Sequence, residues 1–388
     1  MVKESDMSRN IKPSLTRHLF NLAKEYDDVV DFTLGDPDIQ PLQAVKEAAC
    51  DAIRQGKTRY SQNAGLLPLR EVISQRYLRN EGLLYQPNGE VIVTVGAMEG
   101  LYLALLSLVD PGDEVIIPAP YYVNYVQMVQ MCHAKPVIVD SIAGKGLAFN
   151  IDGIGQSVTP RTRAIIINSP ANPSGKLLQM EQSAQLAQIA RRHDLVVITD
   201  EVYRCLVYGD HPYRSIVHEE GMRERTVVVN SLSKEFCMTG YRLGYVVGPA
   251  EVVAAMTKLQ ENVAACAPLP SQYAAMEALG GRHDGCQSMV DTFRRRRDLL
   301  VEGIRAVPLL CCEAPDATFY LMVDISRTGM KSVTFAEALL KAAHVALVPG
   351  IAYGECCDCY VRLAFTMDEE RIKEGIRRIA MFCNHLKP

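Results

Sequence analysis

The sequence holds no apolar run of membrane-spanning length; stretches such as residues 101–109 stop well short of the roughly 20 residues that a bilayer requires. Residues 1–10 are charged and lack the apolar core of a secretory signal, so the cytoplasm is the expected compartment. Charge of one sign is also missing. A formal net charge of −4 over 388 residues gives no global electrostatic reason to bind nucleic acid or a membrane surface, and leaves small polar or anionic metabolites as partners. There is no internal repeat and no low-complexity tract. No G-x-G-x-x-G opens a helix, which argues against a dinucleotide-binding Rossmann enzyme. The basic run 294–297 lacks interleaved aromatics and reads as a solvated helix face rather than a nucleic-acid patch.

Cysteine is not scarce, but the context that would give it chemistry is. Twelve cysteines without a signal peptide read as reduced core and surface thiols. Cys356, Cys357 and Cys359 contain one C-x-x-C spacing, yet no second pair or matching histidine lies nearby, so no metal site is expected.

What is present is length enough for a large domain and a smaller one, each with its own core. Short apolar runs alternate with helical-period segments such as 183–192, the pattern of βαβ units and a parallel sheet. Strands are predicted at 90–95, 114–118, 164–168, 195–199 and 226–230. Residues 244–248 follow too closely for a helical crossover and are predicted to run antiparallel. From about residue 271 the pattern turns to long helices with short strands at 319–324, 345–349 and 360–364. The fold class is therefore α/β: a large domain (45–274) with a mostly parallel sheet flanked by helices, and a smaller α+β domain (275–388). The arm 1–44 contributes in part to the latter.

In open α/β sheets, ligands bind beyond the carboxyl ends of the strands. Here those ends deliver Gly96, Ala97 and Met98, then Tyr122, Asn172, Asp200 with Tyr203, and Ser231, Ser233 and Lys234. Singly each is weak, since glycine or aspartate there commonly opens a helix and lysine is commonly solvated. Together they offer an aromatic plate, an amide, a carboxylate, a phenol and an amine, which is what a pyridoxal ring needs.

The segment S-L-S-K-E-F-C-M-T-G-Y-R-L-G-Y, residues 231–245, resembles the lysine signature of class I aminotransferases, the pyridoxal-phosphate fold type I. The likeness extends through Gly35-Asp36-Pro37-Asp38, Tyr60 with Ala64-Gly65, residues 168–175, Asp200-Glu201-Val202-Tyr203 and Val361-Arg362-Leu363. It implies pyridoxal 5'-phosphate as cofactor, held as a Schiff base on Lys234, which also shuttles a proton during the reaction. Asp200 is then the partner of the ring nitrogen, Tyr203 and Asn172 the partners of the phenolate oxygen, and Tyr122 the stacking plate. The phosphate is implied to lie on the backbone of Gly96, Ala97 and Met98 with Ser231, Ser233 and Arg242, completed by Tyr60 from a partner subunit of a homodimer. Arg362, with Asn172 and the Gly35 backbone, is implied to grip the substrate α-carboxylate. The substrates implied are an amino acid and a 2-oxo acid, with 2-oxoglutarate and glutamate as one pair and a ping-pong course. Elimination chemistry such as a C–S β-lyase uses much the same residues. A regulator of this fold would need a DNA-binding domain, for which the residues before Gly35 are too few.

The resemblance also suggests a cis Asn172-Pro173 bond, whereas Ala119-Pro120 reads more as an ordinary trans turn. One departure concerns the side-chain pocket. Bacterial aspartate aminotransferases of one branch carry Gly-Gly-Lys where this chain has Gly96, Ala97 and Met98, and that lysine meets the distal carboxylate. Methionine offers an apolar wall, and Arg17 is the candidate replacement cation.

Overall fold

The computed structural model describes residues 2–142, 146–209, 213–281 and 285–386. After a two-residue strand, β1 (Val30–Asp31), seven segments, most of them rich in Val and Ile, form one sheet. These are β2 (Val91–Thr94), β3 (Glu114–Pro118), β4 (Lys135–Val139), β5 (Thr162–Asn168), β6 (Val196–Asp200), β7 (Thr226–Ser231) and β8 (Gly244–Val247). Branched side chains suit a pleated surface covered on both faces, and all of these strands except β4 are almost entirely buried. Their order is β2-β8-β7-β6-β5-β3-β4. β8 runs antiparallel to both β2 and β7, as its short connection requires, while β3 to β7 pair in parallel.

Two details differ from the sequence reading. β4 was not foreseen: it lies at the sheet edge, pairs only with β3, is half exposed and contains Pro136, so it lacks the apolar run of a central strand. β6 and β7 also extend one residue further than expected, so Asp200 and Ser231 occupy the last ladder positions of their strands. The chain steps outward from β3 to β4 and returns to the other side of β3 as β5. That reversal opens a crevice at the carboxyl ends of β3 and β5.

A second sheet is antiparallel, with β9 (Cys311–Cys312), β10 (Tyr320–Asp324), β12 (Val348–Pro349) and β13 (Tyr360–Ala364) in the order β12-β13-β10-β9. The expected strand 345–349 is broken at Leu347. Its first half, β11 (Val345–Ala346), pairs in parallel with β1, and its second half pairs with β13. This ties the N-terminal segment to the C-terminal region: Leu19, Val30 and Phe32 share one core with Phe293, Phe319, Phe335 and Phe365.

The basic run is only in part the solvated face expected of it: Arg294 is half-buried and Arg295 exposed, whereas Arg296 and Arg297 are largely covered. Arg296 is buried and grips Asp38 with two hydrogen bonds of 2.7 and 2.8 Å, and the Arg297 guanidinium lies 4.6 Å from the centre of the Tyr208 ring. Among the described residues, the cis prolyl bonds are Asn172-Pro173, as expected, Ala119-Pro120, contrary to the trans reading, and Ser169-Pro170, which was not singled out. Among the described residues, no helix is long and apolar enough to cross a membrane.

Candidate active site

A cavity of about 400 Å³ opens at the carboxyl ends of β3, β5, β6 and β7. It is lined by Ala97, Met98, Tyr122, Asn172, Asp200, Tyr203, Ser231, Ser233, Lys234 and Arg242 from that side, and by Gly35, Arg362 and Arg17 from the other. Two of the residues singled out from sequence lie off this wall. Gly96 stands behind it, with a positive φ of 74° and a backbone so close to Arg242 that a Cβ would meet its Nη2 at 2.7 Å. Tyr60 is remote from the cavity of its own chain, its side chain projecting into solvent with 87% exposure.

Lys234 is delivered by the short helix Leu232–Glu235, which Ser231 caps by accepting a hydrogen bond from the Ser233 N–H at 3.0 Å. Its Nζ donates to the Gly35 carbonyl at 2.6 Å. Burial lowers its pKa to about 8; Arg362 and Arg242 push the same way and Asp36 opposes them. A minor fraction of the amine is therefore neutral near physiological pH, far more than for an ordinary lysine. Gly35 has to be glycine for this approach, because a Cβ there would overlap the Tyr320 hydroxyl.

Asp200 shows the opposite displacement, raised to about 6 by burial. Its carboxylate accepts from the Tyr125 hydroxyl at 2.6 Å and from the Val202 N–H at 3.3 Å, and both contacts resist the rise. The Tyr203 hydroxyl sits 2.9 Å from that of Tyr320, and burial holds its pKa well above the ordinary phenol value.

Arg362, buried on β13, donates through Nη1 to Asn172 Oδ1 at 3.3 Å and through Nη2 to the Thr33 carbonyl. The guanidinium lies 4.3 Å from the Tyr320 ring centre and 5.4 Å from that of Tyr353, and its Nε has no hydrogen-bond partner among the described residues. No carboxylate pairs with it among the described residues. A buried cation so placed is costly without an anion. Asn172 is itself fixed: its N–H donates to Asn168 Oδ1 at 2.6 Å, and the Asn168 amide donates to the Asp200 carbonyl at 2.9 Å.

At the other end, the helix Gly96–Leu108 points its free N–H groups toward Arg242, Ser231 and Ser233. Arg242 adopts a left-handed conformation, φ 52°, and donates through Nη1 to the Thr239 carbonyl at 2.9 Å. Within the same cavity, the Met98 sulfur accepts from the Tyr122 hydroxyl at 3.6 Å and from the Asn124 amide at 3.5 Å. Arg17 is exposed at the cavity mouth on the helix Leu15–Ala23, its guanidinium 5.4 Å from the Phe20 ring centre.

Tyr125, Tyr320, Thr33 and Tyr353 escaped the sequence reading. Tyr125 carried one usable signal, its spacing of three from Tyr122, which places both on one side of a helical turn. The other three act through contacts that only the tertiary fold creates.

Comparison with known proteins bears on this geometry. The sequence profile of aminotransferase class I and II matches residues 27–379. The chain is 37% identical to an aspartate aminotransferase of Pyrococcus abyssi, over 97% of both chains. It is 34% identical to aromatic-amino-acid aminotransferase 2 of Thermococcus litoralis, again over 97% of both. The aspartate aminotransferase of Thermus thermophilus solved with maleate superposes with a TM-score of 0.93, at 35% identity over 98% of this chain and 100% of that one. With a matching profile across most of its length and full-length relatives above 30% identity, this chain belongs to the class I and II aminotransferase family.

Proposed function

We propose that the chain binds pyridoxal 5'-phosphate and moves an amino group between an L-amino acid and a 2-oxo acid in two half-reactions, with 2-oxoglutarate and glutamate as one pair. One observation carries this reading: a single cavity holds an amine whose pKa burial lowers to about 8, a buried carboxylate and, deeper than Arg17, the two arginines Arg242 and Arg362, which have no carboxylate partner among the described residues.

The residues fit each part of that cofactor. Arg242, Ser231, Ser233 and the helix start at Gly96, Ala97 and Met98 form a donor cup for a phosphate. Asp200 suits a protonated ring nitrogen, Tyr203 and Asn172 a phenolate oxygen, and Tyr122 the ring face. When bound, the group supplies a carbonyl that takes up amines and a ring that draws electrons from the substrate Cα. Lys234 Nζ anchors it and, once released, takes the proton from the substrate Cα, for which a pKa near neutrality is well suited. Arg362 orients the α-carboxylate with its free edge, and Asn172 and Tyr320 keep the guanidinium plane fixed. In the same reading the chain works as a homodimer in which the exposed Tyr60 reaches the phosphate of the other subunit.

The test is direct. Purified protein is supplied with pyridoxal phosphate, single amino acids and 2-oxoglutarate, and glutamate is measured against the matching 2-oxo acid. Stoichiometric transfer is expected. Pyruvate and ammonia released without an acceptor would assign elimination instead.

A further inference from the structure

The functional reading gives no part to Tyr125, yet its hydroxyl makes the shorter of the two hydrogen bonds received by the Asp200 carboxylate, 2.6 Å against 3.3 Å. We propose that Tyr125 is a positioning residue for amino transfer: its hydroxyl keeps the Asp200 carboxylate ionised and in one orientation, and so keeps the proton on the cofactor ring nitrogen. This rests on the placement of that nitrogen at Asp200.

Both side chains are buried, Tyr125 to 1% exposure and Asp200 to 4%. Little water reaches the carboxylate there, so its charge leans on the donors the protein supplies. The titratable groups that face it are three phenols, Tyr122, Tyr125 and Tyr203, and no cation pairs with it among the described residues. Of the three, Tyr125 alone donates to it; the Tyr203 hydroxyl is engaged with Tyr320 and that of Tyr122 with Met98. A single O–H donor at 2.6 Å lies in the range of a charge-assisted hydrogen bond. The donor is also held still. The Tyr125 ring packs edge-on to Tyr122, with centroids 5.5 Å apart, in the core that includes Met128, Val129 and Ile166. Tyr125→Phe therefore removes one hydroxyl and leaves the ring packing in place.

The sign follows from linkage. Losing a donor to the ionised form raises the Asp200 pKa, so the carboxyl takes a proton at a higher pH. In Tyr125→Phe the acid limb of the kcat/KM profile is expected to move up by about one pH unit, and the Kd of pyridoxal phosphate to weaken about tenfold. KM for the amino donor should stay within about twofold, since Arg362 is untouched. Asp200→Asn is measured beside it. If Asp200→Asn is crippled while Tyr125→Phe keeps the wild-type Kd and acid limb, Tyr125 serves packing alone and the inference is overturned. If neither change affects cofactor binding, the placement of Asp200 at the ring fails, and the inference falls with it. Should Tyr125→Phe not fold, 3-fluorotyrosine at position 125 keeps the shape and strengthens the donor. The acid limb then moves to lower pH, and an unmoved limb overturns the inference.

Discussion

Lys234 and Gly35, 199 positions apart in the chain, are joined by a hydrogen bond of 2.6 Å from Nζ to the carbonyl oxygen. The acceptor is neutral, so it holds the amine in place without stabilising its charge as a carboxylate would, and burial sets its protonation near pH 8. Only the unprotonated amine attacks a carbonyl. Capture of pyridoxal phosphate by the cofactor-free protein should therefore accelerate as pH rises through about 8 and level off above it. Stopped-flow absorbance measures this, and borohydride reduction should fix the label on the peptide containing Lys234. Lys234→Ala should show no fixed label and lose roughly 100-fold or more in turnover.

Asp200 carries a folded-state pKa of about 6 against an ordinary 3.8, so the native protein holds more protons than the unfolded chain between those values. Stability contributed by this group is full below pH 3.8 and declines as pH rises toward 6. In the cofactor-free state Asp200→Asn removes that loss and should be the more stable protein at neutral pH, by a few kcal/mol at most. Denaturant unfolding at pH 5 and pH 7.5 should show the gap widening with pH. A gap that is constant over this range would mean that the carboxylate is not held in a desolvating site.

Arg362 presents a planar fork whose two Nη atoms are already oriented by Asn172 and Thr33. Arg362→Lys keeps the charge and loses the fork, which should lower kcat/KM for L-amino acids by roughly 10- to 100-fold. Amines that lack the carboxylate provide the control, because their already poor rates should change little. Equal losses for both classes would place the defect in packing against Tyr320.

On the proposed function, substrate choice is expected to turn on Met98 and Arg17, which both line the cavity. The Met98 thioether, held by Tyr122 and Asn124, gives the side-chain pocket an apolar wall where a cation could have stood. Neutral aliphatic or aromatic donors should outrun aspartate in wild type. Arg17→Ala should lower kcat/KM for glutamate and 2-oxoglutarate about tenfold and leave alanine unchanged. Strong aspartate preference that survives Arg17→Ala would show another cation serving this pocket. The aspartate-named and aromatic-named relatives are similar enough to this chain that their names do not decide between these outcomes.

The central strands were legible because each couples a branched apolar run to polar residues at its carboxyl end: residues 165–167 to Asn168, 196–198 to Thr199 and Asp200, 227–229 to Asn230 and Ser231. β4 was not, because an edge strand half exposed to solvent and interrupted by Pro136 lacks that contrast. The cavity lining was legible on the β-sheet side for the same reason. Tyr320 and Tyr353 were hidden because a ring becomes a wall only when β10 and the turn before β13 meet the residues that follow β6 and β3, Tyr203 and Tyr121, and no local pattern encodes that meeting. Arg296 misled for a related reason: its partner Asp38 lies 258 positions away, so a run of four basic residues looked uniform when it was not.

Gly96 and Arg242 stand as a matched pair, each in a left-handed backbone conformation, with the glycine leaving room for the guanidinium. The constraint runs one way: residue 96 must stay glycine while Arg242 holds this place, and its positive φ favours glycine besides. A methyl group at 96 would displace the arginine before it disturbed the sheet, and a smaller residue at 242 would leave the glycine with nothing to accommodate. Laboratory evolution toward new donors therefore has an uneven field: Met98 and Arg17 are open to single steps, whereas residue 96 is closed to any side chain for as long as Arg242 stands beside it.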